Sequence, residues 1–169
     1  MERDELLDDL SADFTAKLRA QRQLEATELS AADAVEVTLS GRLLASVGTS
    51  IEIRLINGES LRGEVIDAAA NWLILRLLRV DIFIRYPAIE MVSGLPAAPR
   101  WPTLVETRVP GTVKLREFAA TRREIHFTTR NQTLKGFIER VGADFIDIVN
   151  HGRHETIALS GLLYVSSPR

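Results

Sequence analysis

Three groups of side chains in this sequence have the types and spacing to do chemistry or to hold a ligand. His151 and His154 stand three apart and are followed by Glu155, a donor set of the kind that binds zinc. They flank Gly152 in an expected turn spanning residues 151–155, however, and no third ligand converges on them in the sequence. The pattern therefore reads as a solvated turn, and no metal is assigned. His126, alternating with Ile125 and Phe127, reads as a surface residue. The second group is basic: Arg122, Arg123, Arg130, Lys135 and Arg140 cluster along one expected hairpin. Cations so placed neutralise phosphates and release their counterions, which gives affinity without sequence preference. These five are the candidate nucleic-acid-binding residues, although the aromatic interleaving of single-strand binders is absent. The third group is Trp72 and Phe145. Aromatic rings stack on bases, but both lie in apolar strand-like runs and read as core.

No nucleophile elbow, P-loop, dinucleotide fingerprint or zincin motif occurs, and the chain has no cysteine. Thiolate metal sites, disulfides and a Cys nucleophile are thereby excluded. The chain reads as non-catalytic, with no cofactor.

The elements that must position these residues are set by composition and pattern. With 169 residues, 46% of them hydrophobic and 26% charged, the chain has material for one medium or two small packed domains. Charge is uneven: residues 1–47 carry ten acidic side chains against five basic, whereas residues 96–169 carry seven against eleven. The basic bias is mild for a nucleic-acid protein. The acidic start lacks the basic and apolar regions of a signal peptide, and the longest apolar-rich stretch, 65–78, is interrupted by Asp67, Asn71 and Arg76. A cytoplasmic protein with no membrane partner is expected.

The strongest feature is an internal repeat. Ile53-Arg54-Leu55 overlays Ile125-His126-Phe127 at an offset of 72, and from Leu61 over Leu134 the offset is 73. Gly63 then matches Gly136, Trp72 matches Phe145, Ile84 matches Ile157 and Val92 matches Val165. A duplicated folded unit with one residue added in the second hairpin turn accounts for this. Each copy reads as five short strands. Asn57-Gly58 marks the first hairpin turn, and the mid-strand Gly63 and Gly136 suit a sharp bend. Five strands in so short a span favour a strongly bent, nearly closed barrel, which removes exposed edges.

A helix is expected before each copy, through Leu39, Leu43, Leu44 and Val47 and through Val113, Leu115, Phe118 and Ala119. The run Pro96-Ala97-Ala98-Pro99-Arg100-Trp101-Pro102 reads as a linker without regular structure. Leu7, Leu10, Phe14 and Leu18 form one apolar stripe on an acidic N-terminal helix, and a second helix has a capping-box start at Ser30. The stripe either covers a barrel or pairs with another copy of the chain, so these four residues are the candidate oligomerisation surface.

Helix, hairpin, a Gly in the second strand, a polar residue before the third strand and Leu159-Ser160-Gly161-Leu162-Leu163 together resemble the Sm-like small barrel. The whole chain also resembles a group of actinobacterial two-repeat proteins. The resemblance covers about 48–95 and 122–166. It implies RNA binding and ring assemblies joined through the fourth and fifth strands, with Asp67 and Asn71 at the positions of the family's acidic residue and asparagine. The family's arginine before glycine is replaced by Ser160. The expected architecture is mainly β with an N-terminal α segment: two tandem Sm-like or SH3-like five-stranded barrels, each preceded by a helix. The expected divisions are 1–38, an acidic helical segment; 39–95, a first barrel with its helix; 96–111, a Pro-rich linker; and 112–169, a second barrel with its helix. Two functions follow: RNA binding through the basic face of the second barrel, or a protein-interaction or self-assembly module using barrel edges and the N-terminal helix.

Overall fold

A computed structural model describes Arg19 and residues 37–168. The stripe of Leu7, Leu10, Phe14 and Leu18 and the expected helix start at Ser30 lie outside the described residues. Residues 39–168 form one compact body.

Repeat one begins with α1 (Leu39–Ala45), whose Leu43 and Leu44 are buried. Then come β1 (Ser50–Leu55), β2 (Ser60–Ala68), β3 (Trp72–Leu77), β4 (Val80–Arg85), a 3-10 turn (Tyr86–Ala88) and β5 (Ile89–Ser93). Between the repeats lies α2 (Leu104–Arg108). Repeat two begins with α3 (Gly111–Ala120) and continues through β6 (Ile125–Thr129), β7 (Thr133–Val141), β8 (Phe145–Asn150), β9 (Arg153–Ala158), a 3-10 turn (Leu159–Gly161) and β10 (Leu162–Pro168). The protein is mainly β. Among the described residues, ten antiparallel strands follow one order, β5-β1-β2-β3-β4-β10-β6-β7-β8-β9. The sheet is not closed: β4 pairs with β10 of the other repeat, Ile84 opposite Tyr164 and Val80 opposite Pro168.

The nine-residue β2 and β7 each serve two neighbours. Ser60–Glu64 pairs with β1 and Glu64–Ala68 with β3, with a register shift after Val65; β7 does the same, with its shift after Ile138. Bulges of this kind bend a strand and increase its twist. Gly63 and Gly136 sit where the strand changes partner. A Cβ on Gly63 would collide with the Arg76 carbonyl oxygen, and one on Gly136 would lie 2.6 Å from the Val149 carbonyl oxygen. The glycines are needed for close backbone approach.

The strand order of the first five strands recurs in the second five, with one correction to the alignment. Gly63 is paired with Ile51, and Gly136 with Ile125, so Ile125 corresponds to Ile51 rather than to Ile53. The second hairpin turn is therefore one residue shorter than the first, not longer. A two-residue slip keeps every side chain on its own face, so apolar alternation alone does not detect it. The turn expected over 151–155 is also smaller. His151 (φ 47°) and Gly152 (φ 79°) form it alone, as a two-residue hairpin with both residues left-handed requires, and β9 already begins at Arg153.

Two apolar cores form, and each takes side chains from both repeats. The first gathers Ile51, Ile53, Val65, Leu73, Leu75 and Ile84 of repeat one with Leu163 of repeat two. The second gathers Leu115, Ile125, Phe127, Ile146 and Val165 of repeat two with Trp72, Ile74 and Phe83 of repeat one. Trp72 Nε1 donates to the Val109 carbonyl at 3.1 Å, Tyr164 Oη donates to Glu59 at 2.9 Å, and the Arg85 guanidinium donates to the Leu159 carbonyl.

Pro96–Pro102 has no regular structure, as expected, but the rest of the expected 96–111 linker contains α2, and the stretch is bound to the body. Thr103 caps α2 in a capping box with Glu106, whose carboxylate also pairs with Arg100 at 2.7 Å. The Arg100 amide donates to the Gly41 carbonyl at 2.9 Å, and Arg42 donates to the Pro96 carbonyl at 2.8 Å. Proline removes backbone donors, and here the Arg42 side chain and the Arg100 amide supply the anchoring bonds.

Candidate nucleic-acid interface

The candidate basic residues lie on or beside the β6–β7 hairpin. α3 ends at Ala120 with Thr121 as its C-cap, and Arg122, with a left-handed backbone (φ 52°), turns the chain toward β6. Arg123 follows, Arg130 occupies the β6–β7 turn, and Lys135 lies on β7 directly opposite His126. All four basic side chains are exposed. Arg122 and Arg130 lie beyond opposite ends of β6, whose five residues span roughly 17 Å at about 3.4 Å per residue. They form an extended line rather than a converging pocket, a spacing suited to successive phosphates of one strand.

Arg140 stands apart from that line. It pairs with Asp147 at 2.7 Å, and its guanidinium carbon lies 5.2 Å from the centre of the Phe145 ring. Asp147 also accepts from the Thr156 hydroxyl at 2.7 Å. That hydroxyl, and then Arg140, hold the Asp147 carboxyl below its ordinary range. The Arg140 charge is already compensated by a neighbour.

The same face carries a residue that the sequence reading missed. Phe137 lies two residues beyond Lys135 on β7, so both point outward, and the residue is 49% exposed. Val149 on β8 lies opposite it, and His154 on β9 lies opposite Val149. His154 Nδ1 is 3.1 Å from Glu139. The signal was present in the alternation Lys135, Phe137 against Leu134, Gly136, Ile138, but an aromatic in an apolar-rich strand is ordinarily counted as core. Histidine and glutamate separate here by the same parity: His154 faces outward, whereas Glu155 faces the side of Ile157 and Ile148.

Trp72 is buried between the repeats, where its ring borders a cavity at their junction. Phe145, its counterpart, is half-buried under Arg140. Of the residues singled out by the resemblance, Asp67 pairs with Lys114 of α3 at 3.1 Å, and the Asn71 carbonyl accepts from the Tyr86 amide at 3.1 Å. Asn71 and Arg85 line a cavity of about 120 Å³ with Thr112 and Leu115 at the junction of the repeats. No helix among the described residues is long and apolar enough to cross a membrane. No protein-family model matches the chain, and no curated protein matches it.

Proposed function

We propose that the chain is a non-catalytic tandem of Sm-like small barrels whose second repeat holds single-stranded nucleic acid, chiefly RNA. The observation that carries this reading is the line of exposed cations Arg122, Arg123, Arg130 and Lys135, with exposed Phe137 on the same face as Lys135. Phosphates are held by the cations, and an unpaired base stacks on the ring, an arrangement that tolerates any sequence. The antiparallel order β5-β1-β2-β3-β4, repeated as β10-β6-β7-β8-β9, supports the small-barrel part of the reading. Assembly through strand edges has less support, because β9 exposes Arg153, His154 and Thr156 along its length.

Filter binding of a short RNA across a salt series tests the proposal. Changing Arg122, Arg123, Arg130 and Lys135 to Ser should weaken binding and make the salt slope shallower by up to ~0.7 per lost phosphate contact. Phe137→Ala should weaken binding by roughly 1–3 kcal/mol and leave the salt slope as it was. Absence of wild-type binding at low salt, where phosphate-driven affinity is greatest, overturns the reading.

A further inference from the structure

The junction between the repeats has two parts, an edge and a face. At the edge, β4 pairs with β10 over five residues. At the face, Trp72, Ile74 and Phe83 project from the outside of repeat one into the core of repeat two. Each of the repeat-one positions has a counterpart in repeat two at an offset of 73, and that counterpart is what a further copy of the chain would meet.

Phe145 keeps an aromatic at the Trp72 position, but the counterparts of the other two face residues are polar. Ile74 is replaced by Asp147 and Phe83 by Thr156; the Thr156 hydroxyl donates to Asp147 at 2.7 Å, and Asp147 also accepts from Arg140. Ile82, buried in repeat one, is replaced by Glu155. That side chain turns inward from the edge strand, and its Oε2 is buried without a hydrogen bond to any described residue. Inward-pointing charge on an edge strand is a known obstacle to edge pairing.

The other end of the molecule is altered too. Tyr164–Pro168, the residues of β10 that receive β4, correspond to Met91–Leu95, but β5 stops at Ser93. Gly94, at φ 88°, turns the chain off the edge, and the Arg42 guanidinium holds the carbonyls of Leu95 and Pro96 at 3.3 and 2.8 Å. Two of the five receiving positions are thus lost.

We propose that this interface operates once, inside the chain, and that repeat two ends in a terminating face to which a second copy of the chain does not add. The protein then departs from the ring assembly that its Sm-like resemblance implies. The inference does not depend on nucleic-acid binding.

The test restores the repeat-one residues. The triple variant Asp147→Ile, Glu155→Ile, Thr156→Phe should acquire a mass in light scattering that rises with concentration above that of wild type. The double variant Asp147→Ile, Thr156→Phe, altered only on the outward face, should do the same to a smaller extent and provides the measurement if the triple variant does not fold. Folded variants whose mass follows wild type at every concentration overturn the proposal. So does wild-type self-association that Thr156→Lys abolishes, since a charge at the Phe83 counterpart matters only if that face is already an interface.

Discussion

Single positions carry much of the fold, and glycine at 63 and 136 shows how. The sequence pattern marks both as mid-strand bends, and the structure supplies a stricter reason, since neither position has room for a Cβ against the carbonyl of the neighbouring strand. Gly63→Ala and Gly136→Ala should each lower stability by roughly 1–3 kcal/mol, the ordinary cost of overpacking, read as a lower melting temperature. Trp72 is a second such position. Its indole fills the junction and donates to Val109, so Trp72→Ala should cost on the order of 3–5 kcal/mol. Phe137→Ala, on an exposed ring, should change stability little. Burial of Trp72 was legible from its apolar run, but exposure of Phe137 was not, because single-residue hydrophobicity does not say which face of a strand is covered.

Among the elements, β3 and its counterpart β8 show how much the pattern knew. Trp72-Leu73-Ile74-Leu75 is apolar on both faces, and all four residues are buried, the signature of a strand covered on both sides. Phe145-Ile146-Asp147-Ile148 alternates, and only Ile146 and Ile148 are buried. The difference records that repeat two covers repeat one and nothing among the described residues covers repeat two. The hairpin alignment was legible only to within two residues, because strand parity is blind to an even slip. The α2 segment was hidden by its prolines, although Thr103 and Glu106 stand at capping-box spacing. Its anchor should be sensitive to pH. The Arg100 guanidinium, with the Thr103 amide, holds the Glu106 carboxyl down at about 2. A carboxylate whose value falls on folding stabilises the folded state above its unfolded value near ~4.3, and that contribution is lost as pH falls toward 2. An NMR titration should find Glu106 still ionised at a pH where an ordinary glutamate is half protonated, and Arg100→Ala should raise its value.

At the scale of the whole molecule, the pairing of β4 with β10 could not be read from local pattern, since edge strands do not name their partners. Its consequence is cooperativity. Both cores contain side chains from both repeats, so residues 39–168 should unfold in a single calorimetric transition whose van't Hoff and calorimetric enthalpies agree; two resolved transitions would show that the repeats fold independently. The central claim concerns which surface of this fused body meets a ligand, and an amide NMR titration with a short single-stranded RNA at low salt tests it most directly. The account predicts concentrated shifts at Arg122–Glu124, His126, Arg130, Lys135 and Phe137, with the interior of repeat one unchanged. Shifts confined to Asn71, Arg85 and Thr112 at the junction, or no shifts at all, would contradict it.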